Sequence, residues 1–441
     1  MPLMKNFVTL NFKIFPIIFA TIGLGILISY QVSMASGMMV LIEKHFPLEE
    51  SHKTKLISSI LIGGLLGIPL GGWLADRLGR KNSLCISSIF LLIGSYCSTL
   101  ANCCSDLCLF RLILGFGIGI ASIIIPVYLT EVCLVYNRGK IASLFPLSLS
   151  LGMLFSYTIN YYVSSSSQNW HVPLNIGFSL AIFAVILLFF IPESPRWLLI
   201  TKKPERAKKI LLQLYPNSVS EIEQIVEEPP SPKVTIQELF EKGLREAWIL
   251  CLLLVICIHF SGISVFLYYG PEIWILMGIE DASTRLLITF TTGFLNFLTP
   301  IFALCLIDKW GRKKLLQISA LGMLNSMLLG ALLFHMKFLS LFFILSFVAF
   351  FGFGLGPVSW VVISENFPTN IRGKASSQII FVKWFIDYLV AIFFFPTIKF
   401  LGAPLLFLLF ACFSLFSFYI SSLFPETGKK RLEEIQKHWK N

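Results

Sequence analysis

Residues 72–81 read Gly72-Trp73-Leu74-Ala75-Asp76-Arg77-Leu78-Gly79-Arg80-Lys81, and their charged half returns 232 residues later as Asp308-Lys309-Trp310-Gly311-Arg312-Lys313. Long apolar runs flank both copies, so each is a polar corner between two helices. Gly79 and Gly311 suit the tight turn such a corner needs. Two further pieces recur at almost the same offset. Glu131 stands seven residues before Arg138-Gly139-Lys140, and Glu365 stands seven before Arg372-Gly373-Lys374. Pro192-Glu193-Ser194 returns as Pro425-Glu426-Thr427. Three charged cassettes in one order at one offset point to an internal duplication.

The runs between the cassettes decide the solvent. Of 441 residues, 56% are hydrophobic and 13% charged, with mean hydropathy +0.80. Soluble domains carry about 25% charged residues. So much apolar surface in water would form adhesive patches, so lipid must cover it. A spanning helix needs about 20 predominantly apolar residues. Twelve runs of that kind are read at 14–42, 55–75, 83–101, 108–133, 141–163, 173–191, 247–271, 286–307, 315–336, 340–363, 375–398 and 404–424. The expected fold is an all-α integral membrane protein with two pseudo-symmetric six-helix bundles, at 1–191 and 247–424. Between them, 192–246 is polar, with nine basic and nine acidic residues. It is expected to form short surface helices, one starting at Pro204 and one near Thr235-Ile236-Gln237-Glu238, which has capping-box spacing. Residues 425–441 form a short tail.

The net charge of +11 is not a nucleic-acid footprint. With both termini placed in the cytoplasm, 27 of the 35 Lys and Arg fall on cytoplasmic segments and six outside, leaving Arg111 and Lys383 within spans. That asymmetry is the positive-inside bias. The first apolar run is too long for a cleavable signal. Of the ten cysteines, six sit in apolar runs as small hydrophobes. Cys103, Cys104 and Cys108 cluster at an outer loop, where a disulfide or metal site is conceivable, although no second ligand group accompanies them. No metal site or cofactor is expected. There is no nucleotide loop or nucleophile triad, so neither an enzyme nor an ATP-driven pump is expected.

A parallel duplication of six helices, with a substrate path at the interface near mid-bilayer, is a known plan of secondary transporters. The motifs here are more specific than the plan. Residues 72–81 resemble the signature loop of the major facilitator superfamily. Pro192-Glu193-Ser194-Pro195-Arg196-Trp197, Pro425-Glu426-Thr427-Gly428, Pro126 through Glu131, and Gly356-Pro357 through Trp360 to Glu365 are similar to those of its sugar porter family. The resemblance runs through all twelve helices in order. It implies alternating access by rocking of two bundles, with the cassette charges as a cytoplasmic gate. Those charges are Asp76, Arg77, Arg80, Glu131, Arg138, Glu193, Arg196, Asp308, Arg312, Glu365, Arg372 and Glu426.

The expected substrate site departs from the family. The seventh-helix Gln-Gln-Leu-Ser-Gly-Ile-Asn stretch reads Ile258-His259-Phe260-Ser261-Gly262-Ile263-Ser264, a fifth-helix glutamine becomes Pro146, and an eleventh-helix asparagine becomes Lys383. Asn296, Trp360 and Tyr268-Tyr269 are retained, and Trp384 follows Lys383. The resemblance therefore makes Gln31, His259, Ser264, Tyr268, Tyr269, Asn296, Trp360, Lys383 and Trp384 the candidate substrate residues. Arg111 and Asp387 form a candidate buried charge network, with Arg111 structural or gating. Lys383 and Asp387, four apart, either neutralise each other on one helix face or leave Lys383 to donate to a substrate oxygen. Gln31 stands where proton-coupled relatives carry an aspartate. An amide cannot bind and release a proton as a carboxyl can.

The leading expectation is therefore a carrier of a sugar, polyol or similar hydroxylated solute, working by facilitated diffusion. Alternatives are proton symport through His259 or Asp387, transport of a small organic anion, and a non-transporting receptor or sensor on the same fold. The expected partners are the solute and the bilayer, and a monomer is compatible with this. The expected site is the plasma membrane or a bacterial inner membrane.

Overall fold

A computed structural model describes residues 14–45, 48–133, 141, 144–166, 169–216, 218–219, 222–223, 226, 244–367 and 371–428. The first half holds α1 (Phe15–Ile42), α2 (Glu50–Leu78), α3 (Arg80–Thr99), α4 (Cys104–Val132), α5 (Leu144–Ser165) and α6 (His171–Leu188). Two short helices follow, α7 (Pro195–Ile200) and α8 (Pro204–Leu214). The second half begins with α9 (Leu244–Phe260), α10 (Ile263–Tyr268), α11 (Gly270–Leu276), α12 (Ala282–Trp310) and α13 (Arg312–Leu332). It ends with α14 (Lys337–Phe353), α15 (Leu355–Asn366) and α16 (Arg372–Leu423).

Among the described residues, nine stretches are long and apolar enough to cross a membrane. The longest folds back at Gly402 (φ 73°, ψ 165°) and supplies two crossings. The fifth helix and the broken α9–α11 complete twelve crossings. At 1.5 Å per residue, the 29 residues of α2 reach about 43 Å, well beyond a hydrocarbon core of about 30 Å. Large apolar side chains such as Phe19, Phe183, Phe302, Phe393 and Phe416 project from the outer surface. In water that pattern would aggregate. In lipid it costs nothing.

Three expectations need correction. The seventh span is not one helix: it breaks at Ser261-Gly262, where Gly262 adopts φ 91°, and turns again at Tyr269. The tenth breaks at Gly354 into α14 and α15. The expected loop at 399–403 is a single residue, Gly402. In each case apolarity continues through the break, so hydropathy cannot see it. Pro204 does open a surface helix, and the expected helix near Thr235 lies outside the described residues.

Within each half the packing follows small residues. A Cβ on Gly63 or Gly67 of α2 would strike the carbonyl of Leu112 or Phe116 on α4, so these two backbones touch directly. Where lipid removes the hydrophobic drive between helices, such close approach supplies the association energy. The halves meet along two seams, α2 against the 372–401 arm of α16, and α5 against α12.

Candidate transport pathway and gates

The cassettes fold into the same device twice. Gly79 (φ 92°) turns the chain so that the first amides of α3 point at Glu193, whose Oε1 accepts from Arg80 N at 2.8 Å and Lys81 N at 3.1 Å. A carboxylate on the exposed amides of a helix N-terminus is favoured by both hydrogen bonding and the helix dipole. Arg80 Nη2 donates to Glu131 at 2.7 Å, and Ser194 Oγ donates to the other Glu131 oxygen at 2.6 Å. In the second half Gly311 (φ 84°) aims the amides of Arg312 and Lys313 at Glu426 (2.9 and 3.1 Å). Arg312 donates to Glu365 at 3.2 Å, and Thr427 to its other oxygen at 2.6 Å.

Every one of these contacts stays inside its own half. The resemblance makes these charges a cytoplasmic gate, and a gate between two rocking bundles needs charges that meet across the two halves. Among the described residues, no cassette charge does so. Asp76 and Asp308 are exposed and lean on Arg80 and Arg312 at 4.0 and 3.1 Å. Arg77 lies over Trp73 at 4.7 Å, and Arg196 forms no ion pair among the described residues. Arg138 and the Arg372 side chain lie outside the described residues.

In the middle of the first half, Gln31 is buried and donates to Ser95 Oγ at 2.9 Å. Arg111, two turns into α4, is fully buried and bound to backbone through two of its three nitrogens, its Nη2 having no hydrogen-bond partner among the described residues. Its Nε donates to Leu56 O at 2.9 Å and its Nη1 to Gln31 O at 3.3 Å. Among the described residues it reaches no carboxylate. The expected network of Arg111 with Asp387 is therefore two separate constellations.

The second constellation centres on Asp387, on α16. Its Oδ1 accepts from Ser264 Oγ at 2.6 Å and lies 2.8 Å from His259 Nδ1, while its Oδ2 is 3.0 Å from Lys383 Nζ. Tyr268, also expected at the site, is buried on α10. A buried carboxylate costs several kcal/mol unless paired and fully bonded, and this one has donors on both oxygens. The α9 break makes the cluster possible, because it lets His259 and Ser264, five apart, converge on one oxygen. Lys383, bound to Asp387, also lies over the Trp384 ring at 5.2 Å.

Along the seams, Trp384 packs against Gly64 of the opposite half, and Asn296 Nδ2 meets Met153 Sδ at 3.5 Å. Trp360 is half-buried on α15. Tyr269 is enclosed, its hydroxyl donating to Ala391 O at 2.8 Å and its ring stacked on Phe394 at 4.6 Å. Sequence reasoning missed Tyr157, whose hydroxyl donates across the seam to Leu267 O at 2.6 Å. It also missed the ion pairs at the end of the molecule away from the cassettes, where Lys53 meets Glu272 at 2.8 Å and Lys399 meets Glu50 at 2.6 Å. Glu272 inside an apolar run was the available signal.

The fold and these motifs define a membrane transporter of two duplicated halves. The chain matches the family described as "Sugar (and other) transporter" over residues 17–439, and it belongs to that family. It is 32% identical to the arabinose-proton symporter of Bacillus subtilis (strain 168), over 94% of this chain and 92% of the relative. It is 30% identical to the glucose transporter GlcP of Staphylococcus epidermidis, over 93% and 94%. Among solved structures, the proton:xylose symporter XylE bound to 6-bromo-6-deoxy-D-glucose superposes with a TM-score of 0.80 at 28% identity, covering 97% of this chain and 99% of that one. The protein is a major facilitator transporter of the sugar porter type, not an enzyme.

Proposed function

We propose that this protein carries a sugar or polyol down its gradient by alternating access, with the cassette end in the cytoplasm. The orientation rests on the Lys and Arg asymmetry. The observation that carries facilitated diffusion is the pairing at Gln31. Its amide is held by Ser95, and Arg111 beside it is bound to two carbonyls, with no carboxylate engaged. A proton gradient needs a titrating group whose affinity changes between the two states, and this location has none.

One observation favours a second reading, proton symport. His259 and Asp387 are joined at 2.8 Å in the second half, and an imidazole beside a carboxylate can take up and release a proton. Reconstitution in liposomes separates the two. Facilitated diffusion is expected to give counterflow of a labelled pentose or hexose, with no uphill accumulation under an imposed pH gradient. Accumulation that disappears in His259→Gln would overturn facilitated diffusion and make the His259–Asp387 pair the proton carrier.

A further inference from the structure

Among the described residues, the ion pairs that join the two halves lie at one end. Lys53, near the start of α2, is almost enclosed. Its ammonium contacts Glu43, just beyond α1, and Glu272 of α11 in the opposite half at 2.8 Å. Behind Glu272 stands Arg285 of α12, 7% exposed, whose charge acts on that carboxylate. Glu272 Oε1 and two of the Arg285 nitrogens are buried without a hydrogen-bond partner. The group is two acids and two bases, electrically balanced yet incompletely bonded. A second, solvent-exposed pair, Lys399 with Glu50, bridges the same edge at 2.6 Å. Among the described residues, no other ion pair crosses between the halves.

We infer that Lys53, held between Glu43 and Glu272, is the latch of the gate opposite the cassettes and sets how often that gate opens. The inference rests on alternating access, since each cycle must part α2 from α11. Parting lets water reach both charges, which recovers the hydration that burial took away. The net hold is therefore far weaker than the bare attraction, as a gate that must reopen requires. The spare donors of Arg285 and the spare Glu272 oxygen keep the closed form from becoming a trap.

Removing the cation has the opposite consequence. Lys53→Met leaves two carboxylates facing each other in a closed, dry mouth, and opening relieves them. Losing one partner of a buried pair typically shifts an equilibrium by more than about tenfold. The test uses the full-length protein in nanodiscs without substrate. Spin labels are attached through noncanonical residues at Lys44 and Glu280, which leaves the ten native cysteines in place. Pulsed dipolar spectroscopy then reads the width of the mouth. The wild type is expected to show mainly the short distance. Lys53→Met and the nearly isosteric Glu272→Gln should raise the long-distance population at least about tenfold, and the swap Lys53→Glu/Glu272→Lys should restore the short one. Wild-type distances in Lys53→Met or in Glu272→Gln would overturn the latch, as would a monodisperse swap protein that stays open. If the distances shift as expected while liposomes carry no sugar, the transport reading fails and the latch stands.

Discussion

The two ends of the molecule use the same chemistry for opposite purposes. At the cassette end, Arg80 and Arg312 are spent inside their own halves, each on a glutamate and a corner that it stiffens. At the far end, Lys53 and Lys399 reach into the opposing half. Charges within a half make it a rigid body, and charges between halves choose how the bodies sit. The lesson is that an arginine–glutamate pair near a transporter's surface says nothing about gating until its two ends are assigned to bundles.

Breaking the cassette end should therefore cost stability before it costs anything else. Arg80→Ala strands Glu131 in a nearly closed site, and loss of one partner of a buried pair costs about 3–5 kcal/mol. Thermal unfolding in detergent should show a large fall. The twin substitution Arg312→Ala should fall less, because its pair is longer (3.2 against 2.7 Å) and Glu365 is more exposed than Glu131. Equal falls would mean that the halves are energetically identical in spite of this difference.

Next in size is the corner itself. Gly79→Ala forces a side chain into positive φ and against Glu193, a strain of about 1–3 kcal/mol, visible as a smaller drop in the same melt. Gly72→Ala, with open space around it, should leave the melt unchanged and serves as the control. Smallest is Asp76→Asn. Its partner lies 4.0 Å away and the carboxylate is 80% exposed, so about 1 kcal/mol or less is at stake. A large loss there would show that the aspartate has a partner in another conformation, as a gate across the halves requires.

Much of this was legible in the sequence, for identifiable reasons. The duplication shows because charged residues are rare here, so three recurring cassettes stand out against lipid-soluble runs. The neutral Gln31 was legible too, because one amide in place of one carboxyl is a change of composition. Its neighbour's chemistry was not. Arg111 donates to the carbonyls of Leu56 and Gln31, and every residue has a carbonyl, so no letter marks the partner. The Asp387 cluster was half legible. Lys383 sits four residues away on the same helix, whereas His259 and Ser264 arrive from another helix through a break that hydropathy hides. Lys53 and Glu272 are 219 positions apart, and only the folded seam makes them neighbours.

Single-residue corners at Gly79, Gly311 and Gly402 leave the chain no slack between consecutive helices. When α2 and the 372–401 arm swing at the seam, α3 and the 403–423 arm must be carried along as on a stiff elbow. Those trailing helices present Ile89, Ile93, Leu405 and Phe416 to the hydrocarbon, so each cycle pushes against lipid as well as against protein. The thickness of the surrounding bilayer thereby becomes a load on the engine, and chain length in the host lipid should tune its turnover without touching a single residue of the solute path.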